Sequence, residues 1–247
     1  MNKNMIAREP TSDSQRHSAL LVRGASLDSG CRLATSAQSR DEELVNSITH
    51  GLGLVLSIAG LSTLLTLAGT TGTTRYAVGC CVYGASLVLL YAASTLFHSW
   101  PDGDVKRVFL VLDHIGIYVL IAGTYTPMAM FASRGKFGCS CLTAAWGFAL
   151  VGSFAKVIRA GRLDHDSSMP YVAMSGMCFL SLPCLVASLS PGETTWLLAG
   201  GLFYAGGMIF FFNAHKHFYH SIWHLFVLAG TICHYRVVLG YVISATF

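Results

Sequence analysis

An all-α bundle of seven membrane-spanning helices is the fold this sequence predicts, and three observations predict it. Of 247 residues, 53% are hydrophobic and only 11% charged, where a soluble domain carries about 25% charged residues. Mean hydropathy is +0.55. The apolar residues gather into seven runs, each near the roughly 20 residues that cross a bilayer as a helix. Membrane β-strands would be shorter and alternate in polarity, whereas these runs are continuous.

The first run, Leu44–Ala68, follows Asp41, Glu42 and Glu43, and acids suit a helix start because the helix dipole favours negative charge there. Gly69-Thr70-Thr71-Gly72 separates it from the second run, Tyr76–Phe97. Trp100 to Asp104, with Pro101 and Gly103, leads to the third, Val108–Phe131. Ser133 to Lys136 precedes the fourth, Phe137–Val157, and Arg159 to Pro170 precedes the fifth, Tyr171–Leu189. Ser190-Pro191-Gly192-Glu193 opens the sixth, Thr195–Ala214, and His215-Lys216-His217 the seventh, Ser221–Tyr241. Connections this short make neighbouring helices antiparallel. Gly201, Gly206 and Gly207 permit close helix packing in lipid, and Pro127 and Pro183 are expected to kink their helices.

Lysine and arginine counts set the orientation. With a cytosolic N-terminus, the inner side holds Lys106, Arg107, Lys156, Arg159, Arg162 and Lys216 besides the tail, and the outer side Arg75, Arg134 and Lys136, six against three. The N-terminus is therefore expected in the cytosol, in the plasma (inner) membrane. Residues 1–40 are polar and lack the apolar core of a signal peptide. Their Arg and Ser content suits a transit peptide, but Glu9, Asp13 and Asp28 do not, and a disordered tail is expected before a membrane domain at 41–247. The basic residues form no single stripe and the net charge is only +4, which argues against nucleic acid as a partner. The partner the composition calls for is the lipid bilayer. Cys80, Cys81, Cys178, Cys184 and Cys233 sit inside apolar runs, as small hydrophobes do. Cys139-Ser140-Cys141 lacks the C-x-x-C spacing of zinc and redox motifs.

Chemistry concentrates in a few polar residues on these runs. His220 and His224 are four apart, so about 40° separates them on a helix and their imidazoles can share one ion. Ser94 and His98 end the second run, and Asp113 and His114 lie near the start of the third. In the predicted topology all of these reach the cytosolic half of the bundle. His98, His220 and His224 supply three nitrogens, the protein share of most catalytic zinc sites. Asp113 could hold or deprotonate a water on the metal, whose pKa falls to about 7. Ser94, one turn from His98, could donate to that water or to a substrate carbonyl.

Other polar residues have blander readings. His50, His114 and His234 are expected to be packed and hydrogen-bonded; His165, His215 and His217 are expected in solvated loops. Arg236, in the last run, could snorkel, pair with a carboxylate or face water. Asp41 and Glu42 are read as helix-start acids. Glu43, Asn46 and His50, three and four apart, share one face that should point into the bundle. Haem ligation is disfavoured, because axial ligands approach a haem from opposite faces rather than from one helix turn.

Taken together, Glu43-x-x-Asn46-x-x-Thr49-His50-Gly51, Ser94-x-x-x-His98, Leu112-Asp113-His114-x-x-Ile117-Tyr118, Ala122-Gly123-Thr124-Tyr125-Thr126-Pro127 and His220-Ser221-x-Trp223-His224 resemble the hemolysin III family. That family is the microbial branch of the progestin and adiponectin receptor superfamily, and the resemblance spans Asp41 to the C-terminus. It implies seven transmembrane helices with a cytosolic N-terminus. It implies Zn²⁺ held by His98, His220 and His224, a zinc-bound water on Asp113, and Ser94 beside them. The superfamily is similar to alkaline ceramidases, which implies zinc-dependent hydrolysis of a lipid amide as substrate. The family name implies the alternative, a haemolytic, pore-forming or receptor-like protein in which zinc is structural.

Overall fold

The computed structural model describes residues 38–132, 136–159 and 169–246. The expectations for the tail, for the 133–135 turn with Arg134, and for the 160–168 loop with Arg162 and His165 lie outside the described residues. Helix α1 is Arg40–Thr70, α2 Thr74–Ser99, α3 Asp104–Ala132 and α4 Lys136–Ile158. Two short helices follow, α5 Met169–Phe179 and α6 Leu182–Val186, then α7 Pro191–Phe212 and α8 Tyr219–Thr246. The described residues contain no strand. The chain is an integral, multi-pass membrane protein: among the described residues, six helices are long and apolar enough to cross a bilayer.

The fifth predicted run differs. It is broken at Leu180 and Ser181 into α5 and α6, with Pro183 in the first turn of α6. Proline has no amide hydrogen to donate and is best accommodated in the first turn of a helix, and here a new helix begins at it instead of a kinked old one. Pro127 behaves otherwise: α3 continues past it to Ala132.

α1 is built inside out, as lipid demands. Leu44, Ile48, Leu52 and Val55 are exposed along one side, and Asn46, His50, Gly53 and Ser57 are buried on the other. With lipid outside, the apolar stripe faces out and small or polar residues face neighbouring helices. The same α1 face lies along α8 in parallel. Asn46 accepts from Ser221, Gly60 from Tyr235, and Thr70 donates to Thr246, at 2.6, 3.1 and 3.4 Å. Midway, Thr231 of α8 gathers three tyrosines. Tyr91 donates to its hydroxyl at 3.0 Å, Tyr204 lies 2.9 Å from that hydroxyl, and Tyr83 donates to its carbonyl at 3.4 Å.

Close approach relies on glycine at several crossings. A Cβ on Gly123 would stand 2.6 Å from Ser86 Cβ, and one on Gly207 would stand 2.8 Å from the Trp223 ring. Gly201, by contrast, faces open space. Cys80 and Cys233 are buried free thiols, as expected, while Cys81 and Cys139 are exposed. Gly123→Val should therefore lower stability in detergent by about 1–3 kcal/mol through overpacking, whereas Gly201→Ala should stay within about 0.5 kcal/mol. Thermal unfolding of the two variants beside the wild type checks the contrast.

Candidate metal centre

The last turn of α2, the first turns of α8 and the first turns of α1 meet at one end of the bundle. His98 and His224 are buried and His220 half-buried. One ring nitrogen from each of the three lies within 4.8 Å of those of the other two, so the group could hold a metal ion. The Nε2 atoms of His220 and His224 are 3.1 Å apart. Two nitrogens on a tetrahedral zinc, each at about 2.0–2.1 Å, stand about 3.3 Å apart, so the pair needs little adjustment to share an ion.

His98 carries the clearest sign of preparation. Its Nδ1 donates to Glu43 Oε2 at 2.6 Å. Its Nε2 is buried without a hydrogen-bond partner. The carboxylate keeps the proton on Nδ1 and leaves the Nε2 lone pair free, the usual arrangement behind a metal-ligating imidazole. The other Glu43 oxygen accepts from Lys106 at 2.8 Å, and Lys106 also lies 3.3 Å from Asp102. An orphaned buried nitrogen costs about 1–3 kcal/mol, and a metal ion is a partner that this donor set fits.

His224 is set from the other side. Thr49 Oγ1 stands 3.5 Å from its Nδ1. The Thr49 hydroxyl donates to the Val45 carbonyl at 2.8 Å, which leaves its lone pairs to receive the imidazole proton. The His50 ring stacks on His224, with centroids 3.5 Å apart and planes at 11°. Asn46 accepts from Ser221 at 2.6 Å and so holds the turn between the two α8 histidines.

The remaining predicted residues divide. Ser94 is fully buried one turn above His98, and its hydroxyl faces Asp113 without meeting a partner at hydrogen-bonding geometry. Asp113 is within electrostatic reach of His98 and His114. His114 and His234 are packed, bonded through one ring nitrogen to the carbonyls of Leu110 and Leu197, at 2.7 and 3.2 Å. His50 departs from that expectation: it is buried, and neither ring nitrogen has a hydrogen-bond partner. His215 and His217 are exposed, as expected.

Three roles escaped the sequence. Glu42 is more than a helix-start acid: it is buried and accepts from the backbone N–H of Phe218, whose φ of 62° is left-handed. That contact fixes the turn feeding α8. Lys106 and Lys156, counted in the sequence only as inner-side charges, are both buried, and Lys156 lies over the Tyr171 ring at 4.9 Å. The link from Glu43 to His98 joins positions 55 apart, and only the inward stripe of α1 hinted at it.

A profile of haemolysin-III related proteins matches residues 38–235. Hemolysin-3 of Bacillus cereus is 39% identical over 212 residues, 86% of this chain and 97% of that protein. The Hemolysin-3 homolog of Bacillus subtilis (strain 168) is 37% identical over 206 residues, covering 83% of this chain and 97% of its own. Monocyte to macrophage differentiation factor of Homo sapiens is 28% identical over 207 residues, 81% of this chain and 84% of its own. The chain belongs to the haemolysin-III related family.

Glu43→Gln keeps the size of the side chain and removes its charge. It should weaken metal binding about 10–100-fold, as loss of a ligand's outer partner does, while the helices remain folded. Chelator competition on purified protein, with circular dichroism for the fold, measures both.

Proposed function

We propose that this protein holds a zinc ion on His98, His220 and His224 and uses the site to hydrolyse a lipid amide, with the N-terminus in the cytosol and the site in the inner half of the plasma membrane. The observation that carries the reading is the buried, unpartnered Nε2 of His98, set by Glu43 and facing two further imidazoles. Three imidazoles form the protein share of many catalytic zinc sites. Bound there, the metal would supply a Lewis acid and make water a stronger acid.

The chain's own residues would do the rest. Asp113 would take the proton of the attacking water as general base and return it to the nitrogen of the departing amine as the C–N bond breaks. The Ser94 hydroxyl, with no partner of its own, would donate to the developing oxyanion of the amide. Ser94 is buried and Asp113 half-buried near His98, which limits the competition of bulk water for them.

The proposed topology has seven crossings, and two contacts support counting α5 and α6 as one of them. Tyr171, at the start of α5, donates to the His114 carbonyl at 3.3 Å, near the histidine end. Ser188, past α6, lies 3.3 Å from the Tyr241 hydroxyl, near the far end of α8. The α5–α6 pair then serves as the fifth crossing.

A second reading draws on the relatives called Hemolysin-3: a membrane-lytic protein with a structural metal. Elemental analysis separates the two steps of the proposal. Wild type should carry one zinc per chain, and the His98→Ala, His220→Ala, His224→Ala triple variant none; full retention by a folded triple variant sinks the site. The hydrolase should release fatty acid from a lipid amide and lose at least about 100-fold of that rate in Asp113→Asn. Dye leakage from liposomes that ignores Asp113→Asn, without fatty-acid release, would favour the second reading.

A further inference from the structure

The other end of the bundle carries a second polar site, between the start of α7 and the last turns of α8. A groove of about 290 Å³ is lined there by Ser190, Glu193, Trp196, Arg236, Ile243 and Ser244. That volume is at the lower limit for a small-molecule pocket, about 300 Å³, so it suits a headgroup rather than a whole lipid. Arg236 is exposed and makes no ion pair among the described residues. It nevertheless sits inside a membrane-spanning helix, where an unpaired charge is costly and marks a partner.

Glu193 shares the groove without neutralising that charge. Its Oε2 accepts from the Ser190 N–H at 2.9 Å and its own N–H donates to Ser190 Oγ at 3.2 Å, a reciprocal helix cap. The cap holds the carboxylate in place, with Oε1 turned towards Gly240, where a Cβ would stand 2.6 Å away. A fixed anion and a free cation therefore face one groove unpaired. Trp196 and Ile243 are 44% and 37% exposed beside them. Tryptophan on a membrane helix marks the level of the lipid headgroups, and an arginine below that level reaches up to it.

We propose that this groove binds the headgroup of a zwitterionic phospholipid with a primary ammonium, such as phosphatidylethanolamine. The Arg236 guanidinium takes the phosphate, for which its planar donors are suited. The Glu193 carboxylate takes the ammonium, whose N–H groups a quaternary amine lacks. Trp196 and Ile243 lie against the acyl chains. The site is separate from the histidine cluster: Arg236 follows His224 by 12 residues on the same helix, about 18 Å along its axis.

The test is native mass spectrometry of the full chain released from detergent, titrated with phosphatidylethanolamine, phosphatidylcholine and phosphatidylglycerol of identical acyl chains. Wild type should retain phosphatidylethanolamine about tenfold over the other two, the worth of one charge-assisted contact. Arg236→Gln should lose the phosphatidylethanolamine adduct by about tenfold or more. Glu193→Gln preserves the cap, because glutamine serves at that position, and should bring phosphatidylethanolamine and phosphatidylglycerol to equal retention. Equal binding of all three lipids by wild type, or an unchanged adduct in Arg236→Gln, overturns the proposal. Metal content should be the same in all three proteins, so this result is independent of the zinc reading.

Discussion

The first and last helices run parallel and in contact along their length, and the rest of the structure depends on that pairing. The partners are Glu42 with Phe218, Asn46 with Ser221, Gly60 with Tyr235 and Thr70 with Thr246, always 175 or 176 residues apart. A constant offset means two helices in register rather than crossing at one point. Parallel ends also constrain the middle. Short connections reverse direction at each turn, so parallel first and last helices favour the odd number of crossings proposed above. This is the physical reason for reading the broken α5–α6 pair as a crossing, and it sets the α8 histidines level with the N-terminus of α1.

Lipid then decides where polar groups can go. A backbone or side-chain group unpaired in hydrocarbon costs several kcal/mol, so each has to find a partner inside the bundle. Thr231 shows how fully this is done, with three tyrosine hydroxyls around one residue. Against that background the exceptions stand out. His98 Nε2, Ser94 Oγ and both nitrogens of His50 are buried without hydrogen bonds at the histidine end, and His234 Nδ1 is a further case elsewhere on α8. Orphaned atoms gathered at one point describe the place for a ligand; scattered, they would describe poor packing.

Much of this could be read from sequence, for identifiable reasons. Helix location followed from run length and continuity, because lipid leaves only one secondary structure compatible with long apolar runs. The three histidines were legible because two share a helix turn and the third ends a run predicted to finish at the same membrane face. What stayed hidden depends on distance or on backbone detail. Nothing local to Glu43 names His98 as its partner, and nothing local to Glu42 announces a left-handed Phe218. The break before Pro183 was misjudged as a kink because proline is compatible with both, and only the carbonyl partners around it decide. Lys106 and Lys156 read only as inner-side charges, because charge alone does not report whether a carboxylate or an aromatic ring is waiting.

The spacing of the polar residues on α1 acquires a meaning from these contacts. Glu43, Asn46, Thr49 and His50 lie on successive turns of one helix face, and each attends a different part of the histidine site. Glu43 holds the His98 ring through Nδ1, Asn46 holds Ser221 between the two α8 histidines, and Thr49 and His50 fix the His224 ring by its edge and its face. None of the four is needed to supply a ligand atom. Together they set the orientation of ligands that come from two other helices. A ring free to rotate about its χ angles would spend ordering entropy each time an ion arrived; a ring already clamped does not. α1 is thus the element that braces two of the three histidines directly, His98 and His224, and reaches the third only through the Ser221 beside it. Three members of its polar stripe, Glu43, Asn46 and Thr49, are held there by hydrogen bonds, and His50 by its stacking on His224.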